Sequence, residues 1–139
     1  MLKKYRKFIY ILLIAIILVI FWLWQNDSMK VTRFILNYEN LPHEFNGYKI
    51  VQISDLHGKY FGNKNKGLSN KIKSLSPDIL FCTGDMMSSN KYDGEAFIDF
   101  LDEFNNHCPV YMCLGNHEQI ASMITGEDYY SNYIQKIKD

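Results

Sequence analysis

Residues 49–58 read KIVQISDLHG, an apolar run that breaks into Asp55-Leu56-His57-Gly58. Two further stretches follow the same plan. Residues 77–85, PDILFCTGD, end in Gly84-Asp85, and residues 109–118, PVYMCLGNHE, end in Gly115-Asn116-His117-Glu118. The apolar runs Lys49–Ser54, Ile79–Thr83 and Val110–Leu114 are too short for helices and too continuous for half-exposed strands. They read as strands buried on both faces of a sheet covered by helices. Pro77 and Pro109 stand just before the second and third runs, where a proline removes no ladder bond.

Helical patterns fill the spaces between. Leu68, Ile72 and Leu75 recur at i, i+4, i+7 among lysines, and Phe97, Leu101 and Phe104 repeat that spacing beside Asp99, Asp102 and Glu103. The order strand, helix, strand, helix, strand predicts an α/β fold with parallel strands and right-handed crossovers. A last helix is expected from Thr125 through Asp139, opened by Thr125-x-x-Asp128 and striped by Tyr130, Ile134 and Ile137. Before the first run, Thr32, Phe34, Leu36 and Tyr38 alternate with Arg33 and Asn37, which predicts a one-sided strand over Val31–Tyr38. Residues 41–47, with Pro42, Asn46 and Gly47, read as a loop.

The three polar strand ends recur 30 and 31 residues apart, from Asp55 to Asp85 and from Asp85 to Asn116, about one βαβ unit each. Ligands of open parallel sheets bind outside the carboxyl ends of the strands. There the sequence places carboxylate, imidazole, carboxylate, amide and imidazole. Such donors suit a pair of divalent metals of the borderline kind, Mn, Fe or Zn, with Asp85 as the natural bridge. Two metals ~3.5–4 Å apart hold a hydroxide between them and clamp a phosphoryl group for in-line attack. His117, next to Asn116, is placed to act as general acid. Taken singly, Asp55 and Asp85 also fit helix caps, His57 an ordinary surface histidine, and Asn116 a turn residue. Their shared position at three strand ends favours the metal reading. His43 and His107 lack that placement and read as non-catalytic.

From Phe8 to Trp24 every residue is apolar or aromatic, a run of seventeen. As a helix it spans roughly 25 Å, near the lower limit for crossing a bilayer. It exceeds the usual length of a signal-peptide core, and Gln25-Asn26-Asp27-Ser28 offers no cleavage site, so an uncleaved anchor is expected. Lys3, Lys4, Arg6 and Lys7 before the run outweigh Lys30 and Arg33 after it, and Trp22 and Trp24 close it. This predicts a single-pass protein of the cell membrane, with its N-terminus cytoplasmic and the bulk of the chain outside. The expected organisation is a basic tail at 1–7, the anchor at 8–24, a linker and first strand at 25–40, and the α/β domain at 41–139.

The formal net charge of zero conceals an asymmetry. Four of the fifteen basic residues precede the anchor, leaving eleven against fifteen acidic ones, a net of −4. An acidic domain without a Lys/Arg cluster is a poor nucleic-acid binder and a good host for cations. The three cysteines form neither a disulfide framework nor a CxxC pair, and Cys82 and Cys113, inside apolar runs, read as small buried hydrophobes.

Asp55-x-His57, Gly84-Asp85 and Gly115-Asn116-His117-Glu118, with the surrounding LPHEFNGYKIVQISDLHG, PDILFCTGD and PVYMCLGNHE, resemble the first three motifs of the calcineurin-like metallophosphoesterases. The likeness is to their membrane-anchored bacterial, YkuE-like branch and covers roughly residues 41–120. It implies the N-terminal half of an αββα sandwich, with Asp55, His57, Asp85 and Asn116 as metal ligands and His117 as proton donor. It implies a phosphoester substrate, lipid-linked if the tether is a guide. The later histidine motifs of the family have no counterpart here, since no histidine follows His117. Two expectations follow: a membrane-anchored hydrolase of which this chain carries one half of the site, or a non-catalytic, metal-binding remnant.

Overall fold

The computed structural model describes the backbone of residues 2–88 and 93–138; the side chains of residues 2–4 and 23–27 are not described. The chain divides into two units, one ending at Leu36 and the other running from Asn37. Each is described on its own.

The first unit is dominated by helix α1, Leu2–Asp27. Within it Tyr5–Trp22 is long and apolar enough to cross a membrane. A helix apolar on every side has the length and composition of a membrane span. The span expected at 8–24 overlaps this window, while Lys3, Lys4 and Trp24 fall among the side chains outside the described set.

The strand expected over Val31–Tyr38 is not formed. The segment has no regular secondary structure, and Phe34 and Ile35 are 81 % and 87 % exposed. A strand exists through its hydrogen-bond ladder, and among the described residues β1 pairs with β2 alone. Ile35 also breaks the alternation by placing an apolar residue on the expected wet face.

The second unit is built on a three-stranded parallel sheet in the order β1 (Ile50–Ile53), β2 (Ile79–Cys82), β3 (Val110–Met112). The register pairs Val51 with Leu80 and Leu80 with Val110, then Ile53 with Cys82 and Cys82 with Met112. These six share one face, which lies on the core; Leu80 and Cys82 are completely buried there. The opposite face carries Ile50, Gln52, Phe81 and Tyr111. Ile50 is 61 % and Tyr111 58 % exposed, and Phe81 and Tyr111 meet ring to ring at 5.9 Å. The sheet was expected to be buried on both faces. Among the described residues it is covered on one.

Helix α2 (Lys66–Lys73) lies in the first crossover and α3 (Glu95–Phe104) in the second. In α2 the buried residues are Leu68, Ser69 and Ile72, and Leu75 falls beyond the helix end. In α3 Ala96, Phe97, Phe100 and Phe104 are buried at helical spacing, and the three phenyl rings stack at 6.0 and 5.5 Å. Phe97 and Phe104 line one cavity together with Val110 and Met112, so α3 packs on the covered face.

The C-terminal helix expected from Thr125 is present as α5 (Glu127–Lys138), and a helix that was not expected, α4 (Asn116–Thr125), precedes it. They break at Gly126, whose φ of 82° is left-handed. In α5 the expected stripe of Tyr130, Ile134 and Ile137 is half-buried, and Tyr133 is the deepest residue.

Candidate metal centre

The site begins in the backbone. Asp55, His57 and Asp85 all have positive φ, at 56°, 49° and 57°. Left-handed conformations cost non-glycine residues about 1–3 kcal/mol each and persist where surrounding structure holds them, often at functional sites. The holding structure is visible. The chain leaving β1 runs beside the chain leaving β2, with the N–H groups of Asp55, His57 and Gly58 donating to the carbonyls of Gly84, Asp85 and Met86 at 3.1, 3.0 and 3.0 Å.

The end of β3 is locked to the same place. A Cβ on Gly84 would stand 2.7 Å from the Gly115 nitrogen, and a Cβ on Gly115 would collide with the Asp85 carboxylate. Only two glycines let these backbones approach so closely. On the other side of Asp85, the fixed loop after His57 is riveted by buried Asn65. Its amide accepts from the Phe61 N–H at 2.6 Å and donates to the carbonyls of Lys59 and Ala96 at 3.1 and 2.7 Å.

On this frame the side chains converge. His57, Asp85 and His117 each offer a ligand atom, all within 4.8 Å of one another. The His57 and His117 rings meet edge to face at 4.4 Å. Asp55 stands outside that trio but reaches it, with Oδ1 3.5 Å from His57 Nε2. Asn116 presents one terminal amide atom 2.8 and 3.0 Å from the two Asp85 oxygens. With its nitrogen there, the amide donates to both. His117 Nδ1 is sealed from solvent and has no hydrogen-bond partner among the described residues, a condition that buried polar atoms rarely tolerate. The donor set of the His57 imidazole, two carboxylates and one amide, with the His117 imidazole beside it, fits a divalent ion of the Mn, Fe or Zn kind.

All five residues singled out in the sequence, Asp55, His57, Asp85, Asn116 and His117, thus meet at one end of the sheet. His43 and His107 do not join them. His43 is exposed in the turn at His43–Phe45, and the His107 ring rests on Phe104 at 5.7 Å.

One residue of this end escaped the sequence reading as an individual. Glu118 is completely buried. Its Oε2 accepts the N–H groups of Asp85 and Gly115 at 2.9 and 2.7 Å, and its Oε1 accepts that of Met87 at 2.8 Å. A Glu three residues after a helix start is half of a capping box, and that was the available signal. It was hidden because no helix was expected to begin at Asn116. Nearby, the Tyr133 phenol is pushed far up, first by burial and then by the Glu118 charge.

The calcineurin-like phosphoesterase family matches residues 48–139. Over 110 residues the chain is 41 % identical to the UDP-2,3-diacylglucosamine pyrophosphatase LpxG of Chlamydia trachomatis, covering 72 % of this chain and 32 % of that protein. Over 98 residues it is 30 % identical to the uncharacterised metallophosphoesterase YkuE of Bacillus subtilis, covering 68 % and 34 %. A transmembrane protein with a metallophosphoesterase domain from Danio rerio is 25 % identical over 126 residues, covering 88 % and 29 %. The chain spans about a third of the length of these relatives. No solved structure matches it. With the family motif residues gathered at one sheet end and the family match running from Tyr48 to Asp139, this chain belongs to the calcineurin-like phosphoesterases.

Proposed function

We propose that this chain supplies one side of the active site of a membrane-anchored, metal-dependent phosphoester hydrolase. The observation that carries the proposal is the convergence of His57, Asp85 and His117 ligand atoms within 4.8 Å. In this reading Asp55, His57, Asp85 and Asn116 would hold the metal. Bound divalent ions would supply charge neutralisation at phosphorus and an activated water. The chain's own part is to hold the ions in register through Asp85, and to donate a proton from the His117 imidazole to the leaving oxygen. The tether on α1 and the likeness to a pyrophosphatase of a diacylated sugar nucleotide support a lipid-bearing phosphoester or pyrophosphate substrate.

Four protein ligands fill one octahedral sphere in part and not two. Residues 1–139 alone are therefore expected to bind manganese and to hydrolyse very little. The test is calorimetric titration of manganese into the detergent-solubilised chain, alongside hydrolysis of bis-p-nitrophenyl phosphate. Binding weakened at least about 10-fold by Asp85→Ala supports the ligand assignment. A wild-type chain that takes up no manganese overturns it. Brisk turnover that Asp85→Ala abolishes overturns the one-sided site, and binding without turnover agrees with a metal-binding half.

A further inference from the structure

We infer that Glu118 is the positioning residue of this centre, a buried carboxylate that holds Asp85 and the first turn of α4 in ligand geometry. The inference rests on the metal reading given above. Helix capping alone does not account for Glu118. A capping box needs one bond, to the N–H of Gly115, and Glu118 makes that bond at 2.7 Å. Gly115 has no side chain, so the reciprocal half of the box does not exist. The other two donors, Asp85 and Met87, come from the end of β2, more than thirty residues earlier in the chain.

The consequence is a clamp on Asp85 from three directions. Its N–H is held by Glu118 Oε2 at 2.9 Å, its carbonyl accepts from the His57 N–H at 3.0 Å, and its Oδ1 accepts from the His117 N–H at 2.9 Å. Asp85 is left-handed at φ 57°, and a strained residue of this kind stays in place only when its neighbours over-determine it. Glu118 thus lies beneath the bridging ligand and reaches His57, Asn116 and His117 through it. Burying a carboxylate is costly unless its lone pairs are used. Three charge-assisted bonds from backbone N–H groups, at the positive end of α4, use them.

Glu118→Gln separates positioning from folding. It keeps the volume and one acceptor oxygen. With that oxygen toward Asp85 and Gly115, its NH2 faces the Met87 N–H and the third bond is lost. The measurements are manganese affinity by calorimetry and amide hydrogen exchange by NMR, on the full chain in detergent. Phe104→Leu in α3 serves as a destabilised control remote from the site. The expected result for Glu118→Gln is faster exchange at Met87 and manganese affinity lower by about 10-fold or more, the range of lost outer-shell partners. Phe104→Leu should hold manganese like the wild type. Glu118→Gln affinity within two-fold of wild type overturns the inference and leaves the metal reading intact, as does an equal loss in Phe104→Leu. A wild-type chain that binds no manganese overturns both.

Discussion

A side chain in this protein takes its chemistry from which side of the sheet it meets. Cys82 and Cys113 both lie in apolar runs and both read as buried. Cys82 falls on the covered face and is completely buried, whereas Cys113 continues the alternation of Tyr111 onto the open face and is exposed. Sequence alternation alone does not say which face is covered, so that difference was not legible. Burial pushes the Cys82 thiol up from its ordinary value of 9.0 to about 12. The unfolded chain therefore loses this proton first as pH rises. The stability that Cys82 contributes is whole below pH 9 and disappears towards pH 12. Two outcomes are expected: iodoacetamide at pH 8 labels Cys113 in the native protein and spares Cys82, and the urea midpoint falls from pH 9 upward. Equal labelling of both thiols would refute this. The candidate metal residues were legible because Asp55, Asp85 and Asn116 each follow an apolar run. The left-handed φ values of Asp55 and Asp85 and the bond from the Asp85 amide to Glu118 were not, since they depend on chain segments about thirty residues away.

At the scale of elements, α3 shows how far periodicity reaches. Phe97, Leu101 and Phe104 were expected to form its apolar stripe. Phe97, Phe100 and Phe104 are the buried aromatics, and Leu101 is half-buried. The helix is turned by a fraction of a step because Phe100 stacks between its two neighbours. Phe100→Ala removes a completely buried ring and should cost about 3–5 kcal/mol, a large share of a small domain's stability. Urea denaturation followed by circular dichroism measures it, and a cost below about 1 kcal/mol would mean that the site collapses around the loss. Helix α4 went unread because Asn116 and His117 were taken only as strand-end residues. The bonds from the Asp85, Met87 and Gly115 amides to Glu118 fix that first turn. The strand over Val31–Tyr38 failed for the opposite reason, since a correct-looking alternation finds no partner among the described residues.

For the whole molecule the decisive question is where the two units reside. From the four basic residues before the apolar run we propose that the N-terminus faces inward. An alkaline phosphatase fused after Asp139 should then be active only when the fusion is exported, and a β-galactosidase fused there should be inactive. The reverse pattern would overturn the orientation. By itself the sequence determined the apolar helix, the three parallel strands and the five residues at their ends. Those features are local: hydrophobic runs, their lengths, and polar residues at fixed offsets. The tertiary structure alone decided which sheet face is covered, that Asp55, His57 and Asp85 are left-handed, and that buried Glu118 accepts from the amides of Asp85, Met87 and Gly115. Each of these depends on backbone groups far apart in the chain meeting at hydrogen-bond distance, which one-dimensional spacing does not encode.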